Sequence, residues 1–220
     1  MDISPGKSPI LLEKISDATN VNELSLVEIS SIMTSDDYLA ICDVLEVLAS
    51  FIAHDEIKKI FIDMTRCENP LVRCTACESL RHIYSIDTVF LLMEILKKEK
   101  TSTVRTYVLS SLCYIVKVGR VSIDDFLPEL KVMYSKEKAN EVIIGYCALF
   151  FVCGKDIQYL NMVSNYLSHK NYHIRCNAIN FLYEMSDDNC KVMIINKFKK
   201  IQQIEKTGAV RSLLSKYLEA

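Results

Sequence analysis

The residues of this chain with the most chemical reach are its nine cysteines and four histidines. Their spacing argues against most of that chemistry. Cys74-Thr-Ala-Cys77 is a lone Cys-x-x-Cys with no second pair and no paired histidines. A structural zinc site takes four ligands, so this half-motif is read as helix packing. His169 and His173 stand four apart, but Asn171 opens a new helix between them, and they do not share one helical face. Gly-rich phosphate loops, Gly-x-Ser-x-Gly and His-Glu-x-x-His are absent from the sequence. Asp124-Asp125 and Asp187-Asp188 stand where helices begin, where carboxylates suit the positive end of the helix dipole. Lys97-Lys98-Glu99-Lys100 and Lys197-Phe198-Lys199-Lys200 stand where helices end and are read as solvated termini rather than a functional basic patch. These patterns predict no catalytic residue, no cofactor and no metal.

The elements that would position any site repeat. Counting from Asp37, Asn69, Thr101, Asn140, Asn171 and Thr207, each segment opens on a helix-capping residue. Position +3 reads Ala40, Val72, Val104, Ile143, Ile174 and Val210. Position +7 reads Val44, Ala76, Val108, Cys147, Ala178 and Leu214, and position +11 reads Leu48, Leu80, Leu112, Phe151, Leu182 and Leu218. The intervals are 32, 32, 39, 31 and 36 residues, the period of a helical repeat array. First helices are expected near 23–34, 55–66, 87–99, 124–136, 156–168 and 188–204. Second helices are expected near 38–52, 70–84, 102–118, 141–153, 172–185 and 208–219. Half of the chain is hydrophobic, while glycine and proline number only five and four, which suits helices rather than a turn-rich β fold. Residues 1–9 read as a flexible polar leader with Pro5, Gly6 and Pro9, and 10–220 as one domain.

Net charge is −2, which disfavours nucleic acid, whose binding needs a concentrated basic surface. No run approaches the length of a membrane span, and the first residues lack a signal-peptide core. The odd cysteine count, with no secreted spacing, points to a reducing, cytoplasmic compartment.

Four segments carry arginine four residues after the cap, as Asn-Pro-Leu-Val-Arg73, Thr-Ser-Thr-Val-Arg105, Asn-Tyr-His-Ile-Arg175 and Thr-Gly-Ala-Val-Arg211. With Ala76 and Leu80, or Ala178 and Leu182, following, the chain resembles the HEAT-repeat family over roughly residues 36–220. It departs from the family pattern where the turn Asp is replaced by Asn or Thr and where Ile41 and Ile144 stand in place of Arg. The resemblance implies an all-α, right-handed superhelical solenoid of about five to six helical pairs. It also implies that the second helices line a concave face and that the arginines bond between repeats.

On those helices the side away from the apolar stripe presents Asp43 and Glu46, then Glu78 and His82, then Tyr107 and Tyr114, then Tyr146, then Asn177, Asn180 and Glu184. Exposed tyrosines anchor protein interfaces, and acidic flanks speed capture of a basic partner. The expected function is a non-enzymatic protein-binding scaffold or adaptor. One concrete form is an immunity or inhibitor protein against a basic protein. The alternatives are a nucleic-acid-binding protein of the HEAT-like DNA glycosylase type and a HEAT-like lyase or enzyme subunit. The first of these alternatives fits poorly with mild acidity and the absence of tryptophan. Neither the partner's identity nor the oligomeric state follows from the sequence.

Overall fold

The expected helix pairs are present in a computed structural model of the chain. It describes Glu13 and residues 25–119 and 121–219. The expected leader, 1–9, lies outside the described residues. Among the described residues there are twelve α-helices and no strand. They are α1 (Leu26–Met33), α2 (Tyr38–Leu48), α3 (Asp55–Met64), α4 (Pro70–Leu80), α5 (Ile86–Lys98) and α6 (Ser102–Gly119). Then follow α7 (Leu127–Lys136), α8 (Asn140–Gly154), α9 (Ile157–Asn165), α10 (Tyr172–Met185), α11 (Asp188–Ile204) and α12 (Gly208–Leu218). Short 3-10 turns extend α2 and α9 and precede α7. No helix among the described residues is long and apolar enough to cross a membrane.

The chain divides into two compact units, one ending at Ser111 and one beginning at Leu112, with α6 contributing residues to both. In the first unit α2 packs on α4, and α3 packs on α4. Asp37 and Asn69 start the second helices by accepting from Ala40 N and Leu71 N, which satisfies donors that have no partner inside the helix. Pro70 sits in the first helical turn, where its missing N–H costs nothing. The stripe residues Val44, Leu48, Val72, Ala76, Leu80, Val104 and Val108 are fully buried. Ser111 Oγ donates to Cys77 O at 2.9 Å and ties α6 to α4.

In the second unit α8 packs on α9 and α10, and α10 packs on α12. The sequence register is one residue late in α8. Ala139, not Asn140, is the N-cap, and it makes no side-chain cap bond. Glu137 instead orders the turn just before the helix, accepting from Lys138 N and Ala139 N. The stripe therefore reads Val142, Tyr146 and Phe150 rather than Ile143, Cys147 and Phe151, and all three are buried. Cys147 and Phe151 are buried as well, because α8 is apolar nearly all round. Its far end closes on Lys155, in the left-handed conformation at φ 56°, whose N–H caps Phe151 O.

The buried columns set the energetic scale. Leu80→Ala and Leu182→Ala should each cost about 2–5 kcal/mol, the range for large-to-small changes in a closed core. Leu218→Ala should cost clearly less, since that side chain is only half-buried. Urea unfolding of the three variants checks this; equal, negligible losses would mean the stripe is misassigned.

Candidate protein-binding surfaces

Of the four arginines that stand four residues after the cap, Arg73, Arg105 and Arg175 are spent inside the fold, whereas Arg211 on the last helix is exposed. In the first unit Arg73 Nε and Nη2 donate to the two oxygens of Glu99 at 2.8 and 3.1 Å, and Nη2 also reaches Thr101 Oγ1 at 3.3 Å. Its Nη1 donates to the carbonyls of Cys67 and Glu68 at 2.9 and 2.8 Å. In the second unit Arg175 repeats the arrangement with Glu205, Thr207, His169 O and Lys170 O. The side chains of both glutamates are 8% exposed. Arg105 Nη1 donates likewise to Glu99 O and Lys100 O. Where Ile41 replaces arginine, Tyr38 Oη donates to the carboxylate of Glu68 in the following turn instead.

The glutamates were not singled out in the sequence, although a signal exists. Glu99-Lys-Thr and Glu205-Lys-Thr are identical tripeptides, and Glu137-Lys-Ala is their near copy. Each glutamate takes the N–H two residues on, at 2.7 Å from Thr101, 2.8 Å from Thr207 and 2.9 Å from Ala139. Thr207 makes no side-chain cap, and both threonine hydroxyls receive arginine instead. Both threonines thus join a clamp between helix pairs, and Thr207 does so in place of capping its own helix.

The expected interface residues separate by unit. In the first, Asp43, Glu46 and His82 are exposed and Glu78 is half-buried, with an ion pair to Arg81 at 3.3 Å. Tyr107 on α6 is 36% exposed. Burial raises its hydroxyl pKa, and the carboxylates of Glu78 and Glu46 add to the shift, so the three share one neighbourhood. Burial and the Arg81 charge lower the pKa of His82.

In the second unit the expectation for Tyr146 is overturned. It is 1% exposed, with its ring 5.9 Å from Tyr134 and 6.2 Å from Phe150, and it is a core residue rather than an anchor for a partner. Tyr114 and Asn177 are half-buried, and Asn180 accepts from Tyr217 Oη at 2.9 Å. Glu184 is exposed, and its backbone carbonyl accepts from Lys117 Nζ.

The cysteines behave as small apolar residues. Cys74 and Cys77 are buried, and burial pushes both thiols up to about 12, far from the thiolate that metal binding or nucleophilic attack needs. Among the described residues no three histidines, cysteines or carboxylates gather in a metal-binding geometry.

Grooves open beside both clamps. One lies between Thr65 and Thr101 in the first unit, the other between Ser164 and Thr207 in the second. The sequence matches no protein-family model, and no curated protein shows significant similarity to it.

The clamp predicts an acid sensitivity. Burial pushes the Glu99 carboxyl up, but bonds from Arg73 and Thr101 outweigh it and leave the pKa below the usual value. A lowered folded pKa adds stability that is full above the usual carboxylate range and lost as pH falls through the folded value. Glu99→Gln should cost about 1–2 kcal/mol at neutral pH, and the gap from wild type should narrow below about pH 4. Urea unfolding across pH checks this; a gap unchanged down to about pH 3 would mean that the carboxylate charge contributes nothing.

Proposed function

We propose that this chain is a non-enzymatic protein-binding module, a HEAT-like right-handed solenoid. In this reading it engages a partner with a basic surface through the acidic, tyrosine-bearing face of its first unit. The observation that carries the reading is the placement of Tyr107, Glu46 and Glu78 on three second helices joined in order, α2 packed on α4 and α4 tied to α6 through Ser111. Support also comes from the stacking of α2 on α4, which leaves the Asp43 and Glu46 side of α2 to solvent. A tyrosine partly sheltered by its own fold loses little freedom on binding, and nearby carboxylates steer a cationic partner onto it. Immunity or inhibitory action against a basic protein is one form this binding would take. With Tyr146 buried, the candidate anchor is Tyr107, with Glu46 and Glu78 on the other second helices of the first unit.

A photo-crosslinking phenylalanine analogue at position 107 should capture basic proteins from native lysate. The same analogue at the exposed Phe90 on α5 should capture few of them. Glu46→Lys combined with Glu78→Lys should slow association with a captured partner by about tenfold, since exposed charges act mainly on encounter. Crosslinks confined to position 90, or rates unchanged by the charge reversal, would place the interface elsewhere.

A further inference from the structure

The two clamp grooves share a frame but not a charge. Beside Arg73, Lys97 and Lys98 on α5 both pair with Glu94, at 3.1 and 2.9 Å. That groove holds four cations and two carboxylates. Glu94 stands five residues before the clamp glutamate Glu99. Five residues before Glu205, the same place on α11 is Lys200. The groove beside Arg175 therefore holds Lys170, Arg175, Lys197, Lys200 and Lys206 against Glu205 alone. Among the described residues Lys197 Nζ bonds to neutral groups, Asn161 Oδ1 and Ser164 Oγ. Lys170, Lys200 and Lys206 are exposed and form no ion pair among the described residues.

Beneath this cationic rim the lining is apolar. Leu167, Ile201 and Ile204 line the groove, and Ile204 on the last turn of α11 is 76% exposed. The volume is about 650 Å³, the size of sites that hold a small ligand or a short peptide stretch. A row of lysines with no carboxylate partner, set over an exposed isoleucine, is complementary to carboxylates flanking an aliphatic side chain.

We propose that the groove of the second unit, between Ser164–Lys170 and Lys197–Thr207, docks an acidic peptide segment of a partner protein, its carboxylates on Lys197, Lys200 and Lys206 and an aliphatic side chain on Ile201 and Ile204. The lining favours peptide over single-stranded nucleic acid, because it contains no Phe, Tyr or Trp on which a base would stack. This site is independent of the acidic face of the first unit and stands or falls apart from it.

The probe is a fluorescein-labelled peptide rich in Glu and Asp and interrupted by Leu, with a Gln/Asn version and a single-stranded oligonucleotide as comparisons. Anisotropy should show the acidic peptide binding, with affinity falling as salt rises, and the Gln/Asn version failing to bind. Lys200→Glu, which copies the arrangement at Glu94, should weaken binding by about tenfold, and adding Lys197→Glu should weaken it further. Lys200→Arg should retain binding, and Lys98→Glu in the other groove should leave it unchanged. Position 200 is exposed, so circular dichroism of these variants should match wild type. The proposal is overturned by absence of peptide binding, by equal binding of wild type and the Lys197/Lys200 double variant, or by tighter binding of the oligonucleotide than of the peptide at the same salt.

Discussion

A guanidinium fork ties each clamped turn to the next. Arg73 and Arg175 each offer five N–H donors in a fixed plane, and each spends them in two directions. Backward, one nitrogen closes the turn that starts its own helix, through the carbonyls five and six residues earlier. Forward, the others hold a glutamate and a threonine in the turn of the next pair. Apolar burial is the larger energy, since each fully buried Val, Leu or Ile contributes about 1.5–3 kcal/mol and every second helix carries several. That term has little direction. The fork supplies direction, fixing how far one second helix advances on its neighbour and opening a groove beside each glutamate.

Where the fork is missing, other contacts take its place. Tyr38 reaches Glu68 across the first junction, where Ile41 is buried instead of an arginine. In α8 the arginine position is Ile143, and the helix is buried nearly all round. Lys117 at the end of α6 donates to the carbonyls of Glu184 and Ser186 at the end of α10, capping a helix terminus whose dipole favours a cation. Burial lowers the lysine's pKa, and Lys155 nearby adds to the effect. Tyr146 itself closes against the rings of Tyr134 and Phe150, so no tyrosine column remains open there.

The helix boundaries were legible because Asp37, Asn69 and Asn171 cap where such residues should and because three apolar columns recur. The positions of Arg73 and Arg175 were legible too, but their forward partners were not. A glutamate two residues before a helix resembles ordinary surface charge until the repeated Glu-Lys-Thr is aligned. That same tripeptide would have corrected α8, since Glu137-Lys-Ala places the helix start at Ala139 and Tyr146 in the core column. Periodicity alone could not do so. A helix with Val142, Ile144, Leu149 and Val152 buried beside its stripe has no unique apolar face to read. The contrast between Glu94 and Lys200 was present in the sequence as well, but it acquires meaning only once the two grooves are seen to share a frame.

The clamp is the claim on which the two grooves and the register of the second helices it joins rest. Its most direct test is a double-mutant cycle on Arg175→Ala and Glu205→Gln, read by urea unfolding. The geometry predicts that the two substitutions together cost less than the sum of each alone, with a coupling of about 1–3 kcal/mol, as for residues sharing one bonded network. A coupling indistinguishable from zero would mean that the fork lies beside the glutamate without holding it, and would contradict the account.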